Sequence, residues 1–82
     1  MQARVYVTLK PGVLDPRGKA VRAALETLGF AGVRDVRLGK YVEIEIDEAD
    51  PAVARSTVER MCDRLLANSV IESYRIDVPG AS

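Results

Sequence analysis

The segment Val33-Arg34-Asp35-Val36-Arg37-Leu38-Gly39-Lys40-Tyr41-Val42-Glu43-Ile44-Glu45-Ile46-Asp47 decides how the whole chain is read. Apolar and charged residues alternate through it, as they do in half-buried strands. Gly39-Lys40 interrupts the alternation, so a strand over about 33–38 is expected to turn into another over about 41–47. The parity of Val36, Val42, Ile44 and Ile46, all plausible core residues, bears on the turn. A two-residue loop pairing Leu38 with Tyr41 would put Val36 on the same face as Glu43. A three-residue loop or bulge instead pairs Val36 with Val42 and Asp35 with Glu43. The second is preferred, because it leaves Glu43 and Glu45 in solvent or at an interface.

Working outward, each flank repeats the same signal. Asp15-Pro16 precedes the segment and Asp50-Pro51 follows it, 35 residues apart. Each puts Asp at a helix N-cap and Pro at the first helical position. In the first helix Ala20, Val21, Ala24, Leu25 and Leu28 share a face, and Gly29 supplies a left-handed stop. In the second, Ala54, Val58, Met61, Cys62 and Leu65 share a face, with Asn68 as the residue just past the end. Outside the helices lie two more alternating stretches. Residues 3–10 set Val5, Val7 and Leu9 against Arg4, Tyr6 and Thr8, with Pro11-Gly12 ending the strand. Residues 70–78 turn Tyr74, Ile76 and Val78 inward. Residues 79–82 read as a loose tail of a single domain, 1–82.

The expected order is therefore βαββαβ, an α+β fold of ferredoxin-like type. Right-handed crossovers would lay both helices on one face of a four-stranded antiparallel sheet. The opposite face would be bare.

Composition narrows the function. The 82 residues are 48% hydrophobic and 29% charged, an ordinary globular balance in a chain short enough to be marginal alone. Twelve Lys and Arg balance twelve Asp and Glu. Zero net charge argues against a nucleic-acid partner. Histidine is absent, which removes the usual general base and the commonest metal ligand. The single cysteine, Cys62, cannot close an internal disulfide, and a reducing, cytoplasmic setting is expected. The N-terminus enters a strand pattern directly, with no visible signal peptide, and no apolar run is long enough to span a membrane.

Each candidate for chemistry has a plainer explanation. Cys62 sits on an apolar helix stripe with nothing to activate it, as a small core residue would. Glu43, Glu45, Asp47, Glu48 and Asp50 form an acidic run, better explained by a solvated edge and a helix cap than by a carboxylate pair in a pocket. Gly12 and Gly18 flank a helix start without any nucleotide-binding fingerprint. No catalytic residue and no metal site are expected. RNA binding would require base-stacking aromatics on the sheet. Tyr6 and Tyr41 are there, but so are Glu43 and Glu45, which repel phosphate.

The bare face reads better as a protein interface. It carries Tyr6, Arg37, Tyr41, Glu43, Glu45 and Arg75, joined by Arg4, Thr8 and Asp77. Tyr and Arg are enriched at interface cores, and balanced charge permits an isologous contact between copies.

Several segments in order then resemble one family. They are Val5-Tyr6-Val7-Thr8-Leu9-Lys10, Val13-Leu14-Asp15-Pro16-Arg17-Gly18-Lys19-Ala20-Val21, Leu28-Gly29-Phe30, Val36-Arg37-Leu38-Gly39-Lys40-Tyr41, Met61-Cys62-Asp63-Arg64-Leu65-Leu66-Ala67-Asn68 and Val70-Ile71-Glu72-Ser73-Tyr74. Together they resemble PurS, the small subunit of the three-part formylglycinamidine ribonucleotide synthase of purine biosynthesis. The resemblance implies a subunit with no catalysis alone, required by an ATP- and glutamine-dependent ligase. It implies two partners, a glutaminase subunit (PurQ) and a synthetase subunit (PurL), which use glutamine, ATP and magnesium. It also implies a ferredoxin-like homo-oligomer, dimer or tetramer, that holds the partners together and supports ammonia transfer. No cofactor is expected on this chain.

The expected topology gathers Leu14 to Lys19, Leu38 to Tyr41 and Leu66 to Val70 at one end of the molecule. Asp15, Gly39 and Asn68 serve there as caps and turns. Lys10, Arg17, Lys19 and Lys40 need no such role and are expected to contact the partner. Two other classes stay open: an ACT-like small-molecule regulatory domain, and a freestanding ferredoxin-like enzyme, which the missing histidine disfavours.

Overall fold

The computed structural model describes residues 1–79. The chain runs β1 (Gln2–Leu9), α1 (Pro16–Thr27), β2 (Gly39–Glu45), α2 (Pro51–Met61), a π turn (Cys62–Leu66) and β3 (Glu72–Asp77). Among the described residues the sheet is three-stranded and antiparallel, in the order β2-β1-β3. No described helix is long and apolar enough to cross a membrane. Beyond Pro79, the tail expected at 79–82 lies outside the described residues.

β1 is the spine of the molecule. Val5 faces Val42 on one side and Ile76 on the other, while Tyr6 faces Tyr41 and Arg75. The period of two sends Ala3, Val5 and Val7 to one face, where all three are fully buried. α2 packs on that face against β1 and β3, adding Ala54, Val58 and Cys62 to the core, with Ala67, Ile76 and Val78 completing it. None of the nine buried side chains is a Leu or Phe. Burying one Val is worth about 1.5–3 kcal/mol, so a core of this size leaves little margin.

Both helix starts form at the Asp-Pro signals. Asp50 accepts the Ala52 N–H at 2.9 Å, and Asp15 accepts the Gly18 N–H at 2.8 Å. α1 ends in a Schellman motif: Phe30 N–H donates to Leu25 O and Gly29 N–H to Glu26 O, both at 3.0 Å, with Gly29 at φ +100°. The expected end of the second helix is different. Ala67 N–H reaches back five residues to Cys62 O at 3.0 Å, and this wider turn rotates Leu65 off the apolar face. Leu65 is 83% exposed, while Ala67 takes the buried position. Asn68 is not a left-handed stop, for among the described residues only glycines have positive φ. Its side chain instead accepts the Val70 N–H at 3.1 Å, an Asx-type turn.

Two larger expectations are corrected. The strand over 33–38 is absent, and with it the hairpin pairing Val36 with Val42. β2 begins at Gly39, which already lies against Thr8 of β1. The segment before it is drawn aside: the Arg37 guanidinium donates to Leu9 O and Lys10 O, the Leu38 N–H to Asp15 at 3.0 Å, and Arg22 to Arg34 O at 3.1 Å. Polar ties at the base of α1 thus replace a sheet ladder.

The second correction follows from the first. α1 does not lie on the sheet. Gly18 is its one buried residue, and of the apolar face only Leu25 is half-buried, whereas Ala20, Val21, Ala24 and Leu28 are exposed. Without a strand at 33–38 there is no sheet surface beneath the helix. Residues 11–38 project as an arm, consistent with overall dimensions of 48 × 25 × 18 Å.

Candidate association surfaces

The sheet face opposite α2 is built by the ladder itself. Cross-strand pairing sets the Tyr6 and Tyr41 rings 5.1 Å apart at 37° and brings the Arg75 guanidinium 4.2 Å above the Tyr6 ring. Stacked aromatics under a cation stiffen the centre of the face. Around it, Arg4 lies 3.9 Å from Asp77, Glu43 accepts from Gln2 at 2.7 Å, and Glu45 pairs with the N-terminal ammonium at 3.2 Å. Partial desolvation, followed by the charge of Glu43, raises the Tyr41 phenol above its usual range. Tyr6, Tyr41, Glu43, Glu45 and Arg75 therefore share this face. Arg37 does not: with its strand absent, it sits at the base of the arm on the carbonyls of Leu9 and Lys10.

A second surface is the end where β1, the arm and the π turn meet. Lys10 Nζ donates to Ser69 O at 2.7 Å, and Lys40 Nζ to Leu66 O at 3.0 Å. Both lysines thus satisfy carbonyls just after α2, where orphan acceptors and the negative helix end favour cations. These bonds had no signal in the sequence, since they join residues 59 and 26 apart. Arg17 and Lys40 border one groove with Leu9, Asp15, Leu38 and Glu72. Lys19 lies on another flank of the arm, beside Val13, Val36 and Arg37. Two carboxylate bonds, from Leu38 N–H first and Gly18 N–H second, hold the Asp15 carboxyl below its usual range.

Cys62 is fully buried. Burial, then the nearby charges of Asp63 and Glu59, push its thiol upward. A thiol disfavoured as thiolate is a poor nucleophile. Beside it Tyr74 donates to Asp63 at 3.0 Å, and that bond raises the phenol.

A third set of residues escaped the sequence reading: large apolar side chains in solvent. Leu14, Leu28, Phe30, Leu65 and Val70 are each more than half exposed. Leu14, Leu28 and Phe30 belong to the arm, Leu65 to the π turn and Val70 to the loop before β3.

The fold is a small α+β module that exposes a tyrosine-arginine sheet face and a cationic end at the base of its arm. A family model described as PurS: Phosphoribosylformylglycinamidine (FGAM) synthase matches residues 2–80. A phosphoribosylformylglycinamidine synthase subunit PurS from Synechocystis is 51% identical over 75 residues, covering 92% of this chain and 75% of the relative. The solved Bacillus subtilis PurS is 48% identical with a TM-score of 0.83, covering 94% of this chain and 95% of that one. A chain of the Thermotoga maritima PurLQS structure is 28% identical with a TM-score of 0.86, covering 94% of each. The chain belongs to the PurS family.

Proposed function

We propose that this chain is the non-catalytic assembly subunit of formylglycinamidine ribonucleotide synthase in purine biosynthesis. It bridges the glutaminase subunit PurQ and the ATP-dependent synthetase subunit PurL and supports ammonia transfer between them. Family membership over residues 2–80, with a neighbour that is part of a PurLQS assembly, carries the reading. The complex works in the cytoplasm. ATP, magnesium and glutamine belong to the partners, and this chain binds no cofactor.

Lys10, Arg17, Lys19 and Lys40 are the residues assigned to partner contact. Lys10 and Lys40 also hold the carbonyls of Ser69 and Leu66, so they shape the surface as well as charging it. The chain acts as a homo-oligomer, for which the tyrosine-arginine sheet face is one candidate surface. Rim cations mostly steer and orient association, so assembly weakens with salt.

Reconstitution tests the bridge. The three subunits are mixed with glutamine, ATP, magnesium and formylglycinamide ribonucleotide. Arg17→Glu with Lys40→Gln, the latter keeping an N–H donor near Leu66, should lower glutamine-dependent synthesis strongly. Synthesis from added ammonia should fall much less. Wild-type glutamine-dependent turnover in the folded variant at physiological salt would exclude this end as the docking surface.

A further inference from the structure

The stretch 65–72, between α2 and β3, spends its polar groups on its own chain and holds two apolar side chains in solvent. Lys40 Nζ donates to Leu66 O at 3.0 Å and Lys10 Nζ to Ser69 O at 2.7 Å. Asn68 O accepts the Ile71 N–H at 3.1 Å and the Glu72 N–H at 2.7 Å. The Asn68 N–H donates to the Glu72 carboxylate at 2.7 Å, and the Val70 N–H to the Asn68 side chain at 3.1 Å. Ile71 O accepts the Lys10 N–H at 2.8 Å, which fastens the stretch to the end of β1. Out of this braced frame stand Leu65, 83% exposed, and Val70, 79% exposed.

The π turn is what puts Leu65 there. A continued α-helix would keep it in the row of Ala54, Val58, Met61 and Cys62, but the bond from Ala67 N–H to Cys62 O gives the buried place to Ala67. Wide turns of this kind are rare and gather at functional sites. Two features suit the stretch to a dry contact. Its backbone groups bond within the chain, so a partner that covers them strands few donors or acceptors. Its shape is already braced, so docking costs little ordering entropy. Charge sets the chemistry of the rim. Lys10, Lys40 and Arg64 surround the stretch, while its two carboxylates already accept bonds, Asp63 from Tyr74 and Glu72 from Asn68. The surface it offers is therefore apolar at the centre and cationic around it.

We infer that Leu65 and Val70 form a preformed apolar knob that seats in an apolar, acid-rimmed socket on the glutaminase subunit. This rests on the reading of the chain as an assembly subunit and names the contact that holds one partner. Lys40 borders the groove beside Arg17, the pair whose change is read in glutamine-dependent synthesis, and the same lysine braces Leu66. The knob thus continues the end already assigned to that partner. The lysines orient the approach, and the two apolar side chains supply the anchor.

Titration of the glutaminase subunit into the reconstituted complex tests this. Leu65→Gln with Val70→Gln changes side chains already in solvent, so circular dichroism and sedimentation of the free chain should match the wild type. The glutaminase concentration that gives half-maximal glutamine-dependent synthesis should rise about 100-fold. The wild-type rate should return at saturation, and synthesis from added ammonia should not change. Leu65→Met with Val70→Ile, which keeps the knob apolar, should hold the wild-type midpoint. A wild-type chain that supports no glutamine-dependent synthesis at any glutaminase concentration would overturn both the assembly reading and this inference. An unshifted midpoint in the Gln variant would overturn the knob alone. Equal losses with glutamine and with ammonia would place the knob on the synthetase, and sedimentation as smaller species would place it on a second copy. Either result overturns the glutaminase assignment.

Discussion

Asp15 and Leu38 stand 23 residues apart in the chain, yet one oxygen of the Asp15 carboxylate accepts the Leu38 N–H at 3.0 Å while the other accepts Gly18 N–H at 2.8 Å. One side chain thus caps α1 and ties the far end of the arm to its beginning. The close approach is tight: a Cβ at Gly18 would collide with Val36 O and the Asp15 carboxyl.

The carboxylate's lowered pKa makes the tie pH-dependent in a definite direction. A group depressed on folding contributes stability that is present above its unfolded value, about 3.9, and is lost as pH falls through the folded value. The arm should therefore loosen below about pH 4 and be indifferent to pH from 6 to 8. Amide exchange at Leu38 and Gly18, followed by NMR across that range, is the check. Asp15→Asn should remove this acid sensitivity and raise exchange at Leu38 even at pH 7.

Gly39 is demanded by packing. A Cβ there would run into Val7 O across the β1–β2 ladder, whereas at Gly32 it would meet nothing within 4 Å. Gly39→Ala should lower the thermal midpoint by several degrees, as about 1–2 kcal/mol does in a domain of this size. Gly32→Ala should leave it within a degree or raise it slightly. Calorimetry of the pair separates steric need from generic glycine effects.

Cys62 is a packing residue. Cys62→Ala should cost on the order of 1 kcal/mol in chemical denaturation and leave synthesis by the reconstituted complex near the wild-type rate. In the native chain a thiol reagent should react slowly, accelerating only as denaturant opens the core. Fast labelling at neutral pH without unfolding would contradict the buried, raised-pKa thiol.

The Arg75–Tyr6–Tyr41 stack is predicted to matter more between chains than within one. Arg75→Ala removes an exposed cation–π contact worth about 0.5–1 kcal/mol, so monomer stability should drop little. Tyr6→Phe should be nearly silent, because the ring and not the hydroxyl makes the contact. If the face is an oligomer surface, Arg75→Glu should shift sedimentation toward smaller species while circular dichroism stays unchanged.

Much of the fold was legible because its causes are local. The parity of Arg4 to Thr8 against Val5 and Val7 is a property of pleated backbone, and the structure has the same in-and-out pattern. Asp15-Pro16 and Asp50-Pro51 started helices, and Gly29 ended one, because cap chemistry involves only neighbouring residues. Of the proposed sheet face, Tyr6, Tyr41, Glu43, Glu45 and Arg75 were brought together by that same parity.

What the sequence by itself determined, then, is the strands β1, β2 and β3 and the starts of both helices, whose signals lie within a few residues, together with membership of a family that the order of its segments identifies. Tertiary structure decided the rest. The alternation at 33–38 is a sound strand pattern, but a strand needs a partner, and Arg37, Leu38 and Arg34 spend their donors and acceptors on the base of the arm instead. The apolar stripe of α1 says that something covers it, without saying whether the cover is its own sheet or another chain's. Periodicity records that a face is apolar; only the long-range bonds from Asp15 and Arg37 determine where in space that face is held.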